Sequence, residues 1–219
     1  MHNVTVAFAA LLVMLLSYFF GCFNGSFMVS HFIIRDDVRK HGSGNAGLTN
    51  FYRTYGAKYA LLVIACDMGK TVAACLLGSF FFRCLGWDGT LGTLLAGLGC
   101  ELGHIFPVFY GFRGGKGILS GGTLVLLLNW RVAAVAWALF LLLWLTTRYV
   151  SLASITATCS APITVYFVYA HNWLYTGLCL AVAALVVWCH RENIQRLLHG
   201  TEKKYKWHVN PMEGKDPPQ

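Results

Sequence analysis

Three polar clusters interrupt an otherwise apolar chain: GSGNAGLTNFYRTYG at 42–56, GHIFPVFYGFRGGKG at 103–117 and HRENIQRLLHGTE at 190–202. Each combines glycine with Arg or Lys. Glycine lets backbone N–H groups come close to an anion, and the neighbouring cations neutralise it. The chemistry that suits this combination is phosphate handling. In the first cluster the candidate ligands are Gly42, Ser43, Gly44, Asn45, Gly47, Thr49 and Asn50, leading into a helix that starts near Thr49 and carries Arg53. In the second, Arg113, Gly114, Gly115, Lys116 and Gly117 form a basic glycine run, and His104 opens the FPVF stretch before it. In the third, His190 and Asn193 are three residues apart and project from one helical face beside Glu192. Asp67 and Lys70, also three apart, lie inside an apolar run, where charges are costly and either pair or line a polar site.

Several short matches carry less weight. Gly42-x-Gly44-x-x-Gly47 fits a dinucleotide fingerprint, but RDDVRKH before it is no strand and Asp67 falls inside an apolar run. Gly69-Lys70-Thr71 has Ile64 where a phosphate loop needs its first glycine, and the run at 114–117 lacks the spacing too. His31 and Asp36 make an H-x4-D box, and no basic phosphate box follows it, so coincidence is the better reading.

The elements that must position these clusters are membrane helices. Of 219 residues, 57% are hydrophobic and only 12% charged, and the mean hydropathy is +0.57. A soluble domain would carry about 25% charged residues. Seven spans are expected, at about 4–33, 57–82, 90–108, 117–129, 132–147, 151–170 and 172–189. The fourth is short enough to be tilted, partial or re-entrant. The run from Val4 to Phe20 lacks a basic n-region and reads as a retained span rather than a signal peptide. All but Lys70, Arg83 and Arg131 of the 17 Lys and Arg residues lie in the connections after the first, third and fifth spans or in the C-terminal region. By the positive-inside rule those face the cytoplasm and the N-terminus faces outward, which puts all three clusters on one side. The expected organisation is an all-α membrane bundle over 1–202 and a polar cytoplasmic tail over 203–219 that frays. The net charge of +8 reflects these span ends rather than nucleic-acid binding, and the eight cysteines read as free thiols in apolar runs.

Taken together, DVRKHGSGNAGLTNFYRTYG, the DMGK of the second span, GHIFPVFYGFRGGKG and HRENIQRLLHGTE resemble the bacterial acyl-phosphate:glycerol-3-phosphate acyltransferase family, PlsY, in family order and over nearly the whole chain. Ala46, Leu48 and Thr71 depart from its pattern beside the polar positions. The resemblance implies transfer of a fatty acyl group from acyl phosphate to the sn-1 hydroxyl of glycerol 3-phosphate, at a bacterial inner membrane, without cofactor or metal. It assigns the polar site to Ser43, Arg53, Arg113 or Lys116, His190 and Asn193, with the GSGN loop on the donor's phosphate and Asp67, Lys70, His104 and Glu192 in support. An acyl phosphate is already activated, so Ser43 positions substrate rather than attacking it. A transporter would need polar residues on both faces and internal repeats, and a CDP-alcohol-type transferase would need several aspartates on one helix. The chain has neither feature.

Overall fold

The structure, a computed structural model, describes residues 2–206, and every regular element among them is helical. Helix α1 (His2–Cys22) is apolar until Asn24 interrupts it. The Asn24 side chain accepts the Phe27 N–H at 2.9 Å, capping the short α2 (Gly25–Met28), and donates to the Ala46 carbonyl at 3.0 Å. A π-helical turn (Val29–Ile34) carries the chain on until Arg35, whose φ of 62° ends it. There follow α3 (Leu48–Tyr55), α4 (Ala60–Cys84), α5 (Gly89–Ile105), α6 (Ile118–Leu128), α7 (Trp130–Thr147), α8 (Val150–Val168), α9 (Trp173–Cys189) and α10 (Arg191–Leu198).

Helix α5 is the most buried, and α1 and α4 pack on it backbone to backbone. A Cβ on Gly99 would stand 2.3 Å from the Met14 carbonyl oxygen, one on Gly103 2.0 Å from that of Tyr18, and one on Gly92 2.3 Å from that of Gly78. In lipid, where apolar faces gain little by meeting each other, such close approach supplies the packing attraction. Helices α7, α8 and α9 form a second layer, and α6 touches α4, α5, α7 and α8 and joins the two.

One end of the bundle is built from helix starts. Asp88, Asn129 and Asn172 each cap α5, α7 or α9 by accepting N–H groups of the first turn. These helices therefore run towards the opposite end, where the three polar clusters gather.

Five helical segments are long and apolar enough to cross a membrane, and α9 with α10, bent by 59°, makes a sixth. The fourth expected span is α6, with 11 residues, or about 16 Å against a hydrocarbon core of about 30 Å. Its C-terminal carbonyl at Leu128 accepts from the Tyr169 hydroxyl at the end of α8 (2.8 Å). Its first residues sit beside Glu101, a full turn inside the end of α5. A recessed start lets so short a helix reach the far end.

Candidate active site

The first loop is organised by Asn50. Its Oδ1 accepts the Ser43 N–H at 2.9 Å, and its Nδ2 donates to the carbonyls of Val38, His41 and Asn45 at 3.0–3.1 Å. Gly42 must lack a side chain: its φ is 60°, and a Cβ would fall 2.3 Å from Asn50 Oδ1. The Gly44 N–H goes to the His41 carbonyl and the Ala46 N–H to that of Gly114. Two amides expected to cradle an anion, those of Ser43 and Gly44, are therefore committed within the protein. What remains towards the cavity is the uncapped start of α3 at Gly47, Leu48 and Thr49, with the Ser43 hydroxyl and, one turn on, Arg53.

The second loop folds back onto the end of α5. The N–H groups of Gly114 and Gly115 donate to the carbonyls of Ile105 and His104, and a Cβ on Gly115 would lie 2.2 Å from His104 Nε2. These two glycines serve the loop's approach to α5 and do not line the cavity. Arg113 is exposed outside it. Lys116 enters the cavity wall and donates to Asn193 Oδ1. Gly117, in left-handed geometry (φ 83°), lies against the buried Glu101, whose Oε1 has no hydrogen-bond partner among the described residues.

Beneath both loops, Lys70 Nζ reaches Asp67 Oδ1 (2.9 Å), His104 Nδ1 (2.7 Å) and the carbonyls of Gly21 and Phe23 (3.1 and 3.0 Å). Asp67 Oδ1 also accepts the Gly25 N–H. Lys70 thus holds the break after α1, satisfying carbonyls that the interrupted helix leaves open. It does not line the cavity, whereas Asp67 and His104 do.

The third cluster completes the site through a residue not singled out in the sequence. Glu202 accepts from Asn193 Nδ2 (2.6 Å) and Ser151 Oγ (2.8 Å) at one oxygen and from Arg196 Nε (2.6 Å) at the other. Burial pushes this carboxyl up, but the bonds from Arg196, Asn193 and Ser151 outweigh it and hold it below its ordinary value. Gly200, with φ of 68°, turns the chain so that residues 202–205 run across the cavity. Arg53 donates to the Lys203 carbonyl (3.3 Å), and Tyr205 bonds the Arg148 carbonyl through its N–H and stacks on Tyr52. Expected to fray, Lys203 and Tyr205 are cavity wall instead; residues 207–219 lie outside the described part. Glu192 is exposed and pairs only loosely with Arg196 (3.9 Å).

His190 Nδ1 lies 2.8 Å from the Val186 carbonyl. A carbonyl only accepts, so Nδ1 carries the hydrogen and the neutral ring presents Nε2 as an acceptor. Burial, reinforced by nearby Arg196, pulls the Lys116 ammonium below its ordinary value. Arg53 is likewise lowered, chiefly by burial. Neither has a carboxylate within ion-pair distance among the described residues, whereas Arg196 has Glu202.

The three clusters meet around one cavity of about 910 Å³. Of the residues expected in the site, Gly42, Ser43, Asn45, Gly47, Thr49, Asn50, Arg53, Asp67, His104, Lys116, Gly117, His190 and Asn193 line it; Gly44, Lys70, Arg113, Gly114, Gly115 and Glu192 do not. Arg196, Glu202, Lys203 and Tyr205 were missed. The H-x4-D box is elsewhere: His31 stacks on Phe27, and Asp36 accepts from His41 and Tyr55.

A family model described as glycerol-3-phosphate acyltransferase matches residues 11–200. The chain belongs to the glycerol-3-phosphate acyltransferase family. Within it, the chain is 39% identical over 196 residues to the glycerol-3-phosphate acyltransferase of Syntrophomonas wolfei, covering 90% of this chain and 96% of that one. With its counterpart in Finegoldia magna it shares 38% over 188 residues, 85% and 91% of the two chains. Two crystal structures of PlsY (YgiH), described as an integral membrane glycerol 3-phosphate acyltransferase, have the same fold. The glycerol 3-phosphate form matches with a TM-score of 0.79 and 36% identity over 90% of this chain and 96% of that one. The lysophosphatidic acid form matches at 0.77 and 34%, over 90% and 95%. Family membership and the apolar helices make this acyltransferase an integral membrane protein.

Proposed function

We propose that this acyltransferase moves a fatty acyl group from acyl phosphate to the sn-1 hydroxyl of glycerol 3-phosphate at the cytoplasmic edge of a bacterial inner membrane. The observation that carries the reading is one continuous cavity. Its polar end holds Arg53 and Lys116, cations with no carboxylate within ion-pair distance among the described residues, and its other end is an apolar recess between α6 and α9. That pairing suits two phosphate-bearing substrates, one with a lipid tail. The relatives' names and the ligands of the two PlsY structures support the same acceptor. The distribution of Lys and Arg supports a cytoplasmic site and an outward N-terminus.

The acceptor hydroxyl donates to Nε2 of His190 and attacks the acyl carbonyl carbon. A carbon–oxygen ester bond forms, the bond from that carbon to the phosphate oxygen breaks, and the hydroxyl proton passes by way of His190 Nε2 to the released phosphate, which leaves as hydrogen phosphate. Arg53 and Lys116 offset part of the charge of the two phosphates and of the oxyanion between them. Ser43 and the start of α3 hold a phosphate by hydrogen bonds. Glu202 fixes Asn193 and, through it, Lys116.

Purified protein with glycerol 3-phosphate and matched donors tests this. Lysophosphatidic acid and phosphate should form from acyl phosphate with chelator present, and little from acyl-CoA. Equal use of acyl-CoA, or loss of activity with chelator, refutes the donor and metal assignments.

A further inference from the structure

The apolar end of the cavity has a floor, and its depth is set by this chain's own residues. Beyond Ser151 and His190 the wall is apolar except for the hydroxyls of Ser154 and Thr158, and much of it is small: Gly121, Ala136, Ala157 and Ala161. The innermost wall residues are Val125 of α6, Ala136 of α7, Ala161 of α8 and Cys179 of α9. Val125, Ala136 and Cys179 also belong to a packed cluster with Leu128, Val132, Val165 and Tyr175, none of which lines the cavity. Behind it, Tyr175 meets Tyr169 edge to face at 5.2 Å, and the Tyr169 hydroxyl bonds the Leu128 carbonyl. That cluster stands behind the recess as its floor.

Resting on the proposed reaction, we infer that Val125, Ala136, Ala161 and Cys179 form the floor of an acyl-chain ruler that sets the length of donor this enzyme uses best. From His190 to Cys179 along α9 is about 16 Å at 1.5 Å per residue. A carbon chain with ~1.5 Å bonds at near-tetrahedral angles advances about 1.25 Å per bond, so about 13 bonds span that depth. Donor efficiency should therefore rise up to the tetradecanoyl chain and gain nothing at octadecanoyl, because each methylene gains burial only while there is wall to meet it.

A ruler also makes the cut-off depend on where bulk is added. Ala161→Leu fills the floor. Gly121→Leu fills the recess only four residues beyond Gly117, about 6 Å from the polar end, and a Cβ there meets no atom within 4 Å. Acyl phosphates of four, eight, fourteen and eighteen carbons are compared by kcat/KM within each preparation, so that loss of folded protein cancels. Ala161→Leu should lower the tetradecanoyl-to-octanoyl ratio about tenfold or more, at roughly fourfold per methylene denied burial. Gly121→Leu should lower the octanoyl-to-butanoyl ratio as well. Val125→Ala deepens the floor and should raise octadecanoyl relative to tetradecanoyl, which keeps the test open should a bulky variant not accumulate. Unchanged ratios in all folded variants, or a wild-type gain that continues to octadecanoyl, overturns the ruler. Absence of lysophosphatidic acid from every acyl phosphate with the wild type would instead sink the proposed reaction itself.

Discussion

A methyl group placed on Gly117 would stand 1.4 Å from Oε1 and 2.5 Å from Cδ of Glu101. Carbon and oxygen at rest keep roughly 3.3 Å, so Gly117→Ala forces either the carboxyl or the loop to move by about 2 Å. The carboxyl is enclosed, with Glu101 only 1% exposed, and overpacking of this kind costs about 1–3 kcal/mol. The left-handed φ of 83° adds about 1–2 kcal/mol for any residue with a Cβ. Together these give roughly 2–5 kcal/mol. The easier relief is to lift the loop, which carries Lys116 away from Asn193. If the whole cost falls on the transition state, kcat/KM drops ~30-fold to several thousand-fold, at tenfold per 1.36 kcal/mol. The assay is phosphate release from acyl phosphate and glycerol 3-phosphate at matched folded protein, with Glu101→Ala and the double variant beside it. Removing Glu101 abolishes the collision but not the backbone strain, so the double variant should recover about tenfold or more over Gly117→Ala. Two results refute the reasoning: Gly117→Ala within a few-fold of wild type, or a double variant no better than Gly117→Ala alone.

Arg53→Ala, which removes a cation with no carboxylate partner among the described residues, should cost about 2–4 kcal/mol, or ~30- to ~1000-fold in kcat/KM, with Arg53→Lys recovering part of it. The Lys116 pKa lies below its ordinary value, so Lys116 loses its proton, and the site a cation, earlier on the alkaline side than an ordinary lysine would. The alkaline limb of kcat/KM should therefore move to higher pH in Lys116→Arg, and an unmoved limb would exclude Lys116 as its source. Asn50→Ala should lower stability by about 2–4 kcal/mol, read as Tm in detergent, because the first loop loses every bond to that amide. Asn50→Asp should be worse, since it sets an acceptor against three carbonyls. His31→Ala and Asp36→Ala should each leave turnover within a few-fold; loss of turnover in His31→Ala would mean the site has been placed on the wrong residues.

The helices were legible because apolar runs and their breaks are local. Expected spans at 132–147, 151–170 and 172–189 correspond to α7, α8 and α9 within two residues at each end. The helical spacing of His190 and Asn193 put both into the cavity. The glycine runs misled in part: they read as amides offered to an anion, yet Gly44, Gly114 and Gly115 spend theirs on carbonyls of their own loops and of α5. A pattern of residue types carries no information on which acceptor arrives first. Asn50 was expected at a phosphate and serves instead as the loop's internal brace. Glu202 was missed because only the turn at Gly200 brings it back to Arg196 and Ser151, and a lone acid in a basic segment was the available signal. Glu101 could have been found by the argument applied to Asp67, being an isolated charge in an apolar run three residues before His104.

The strap formed by residues 202–205 also gives the polypeptide a birth order. Asn193 and Ser151 find their carboxylate partner only after the last long helix has been made, because Glu202 follows α10 in the chain. A chain ending at Gly200 contains every helix of the described residues and both glycine loops, yet it lacks the carboxylate that accepts from Asn193 and the carbonyl that accepts from Arg53. The carboxylate that orders Asn193 and Ser151 therefore follows in the chain every helix that lines the cavity. A truncation just before Glu202 should therefore insert as a bundle yet turn over poorly, and wild-type turnover in that truncation would show the strap to be dispensable.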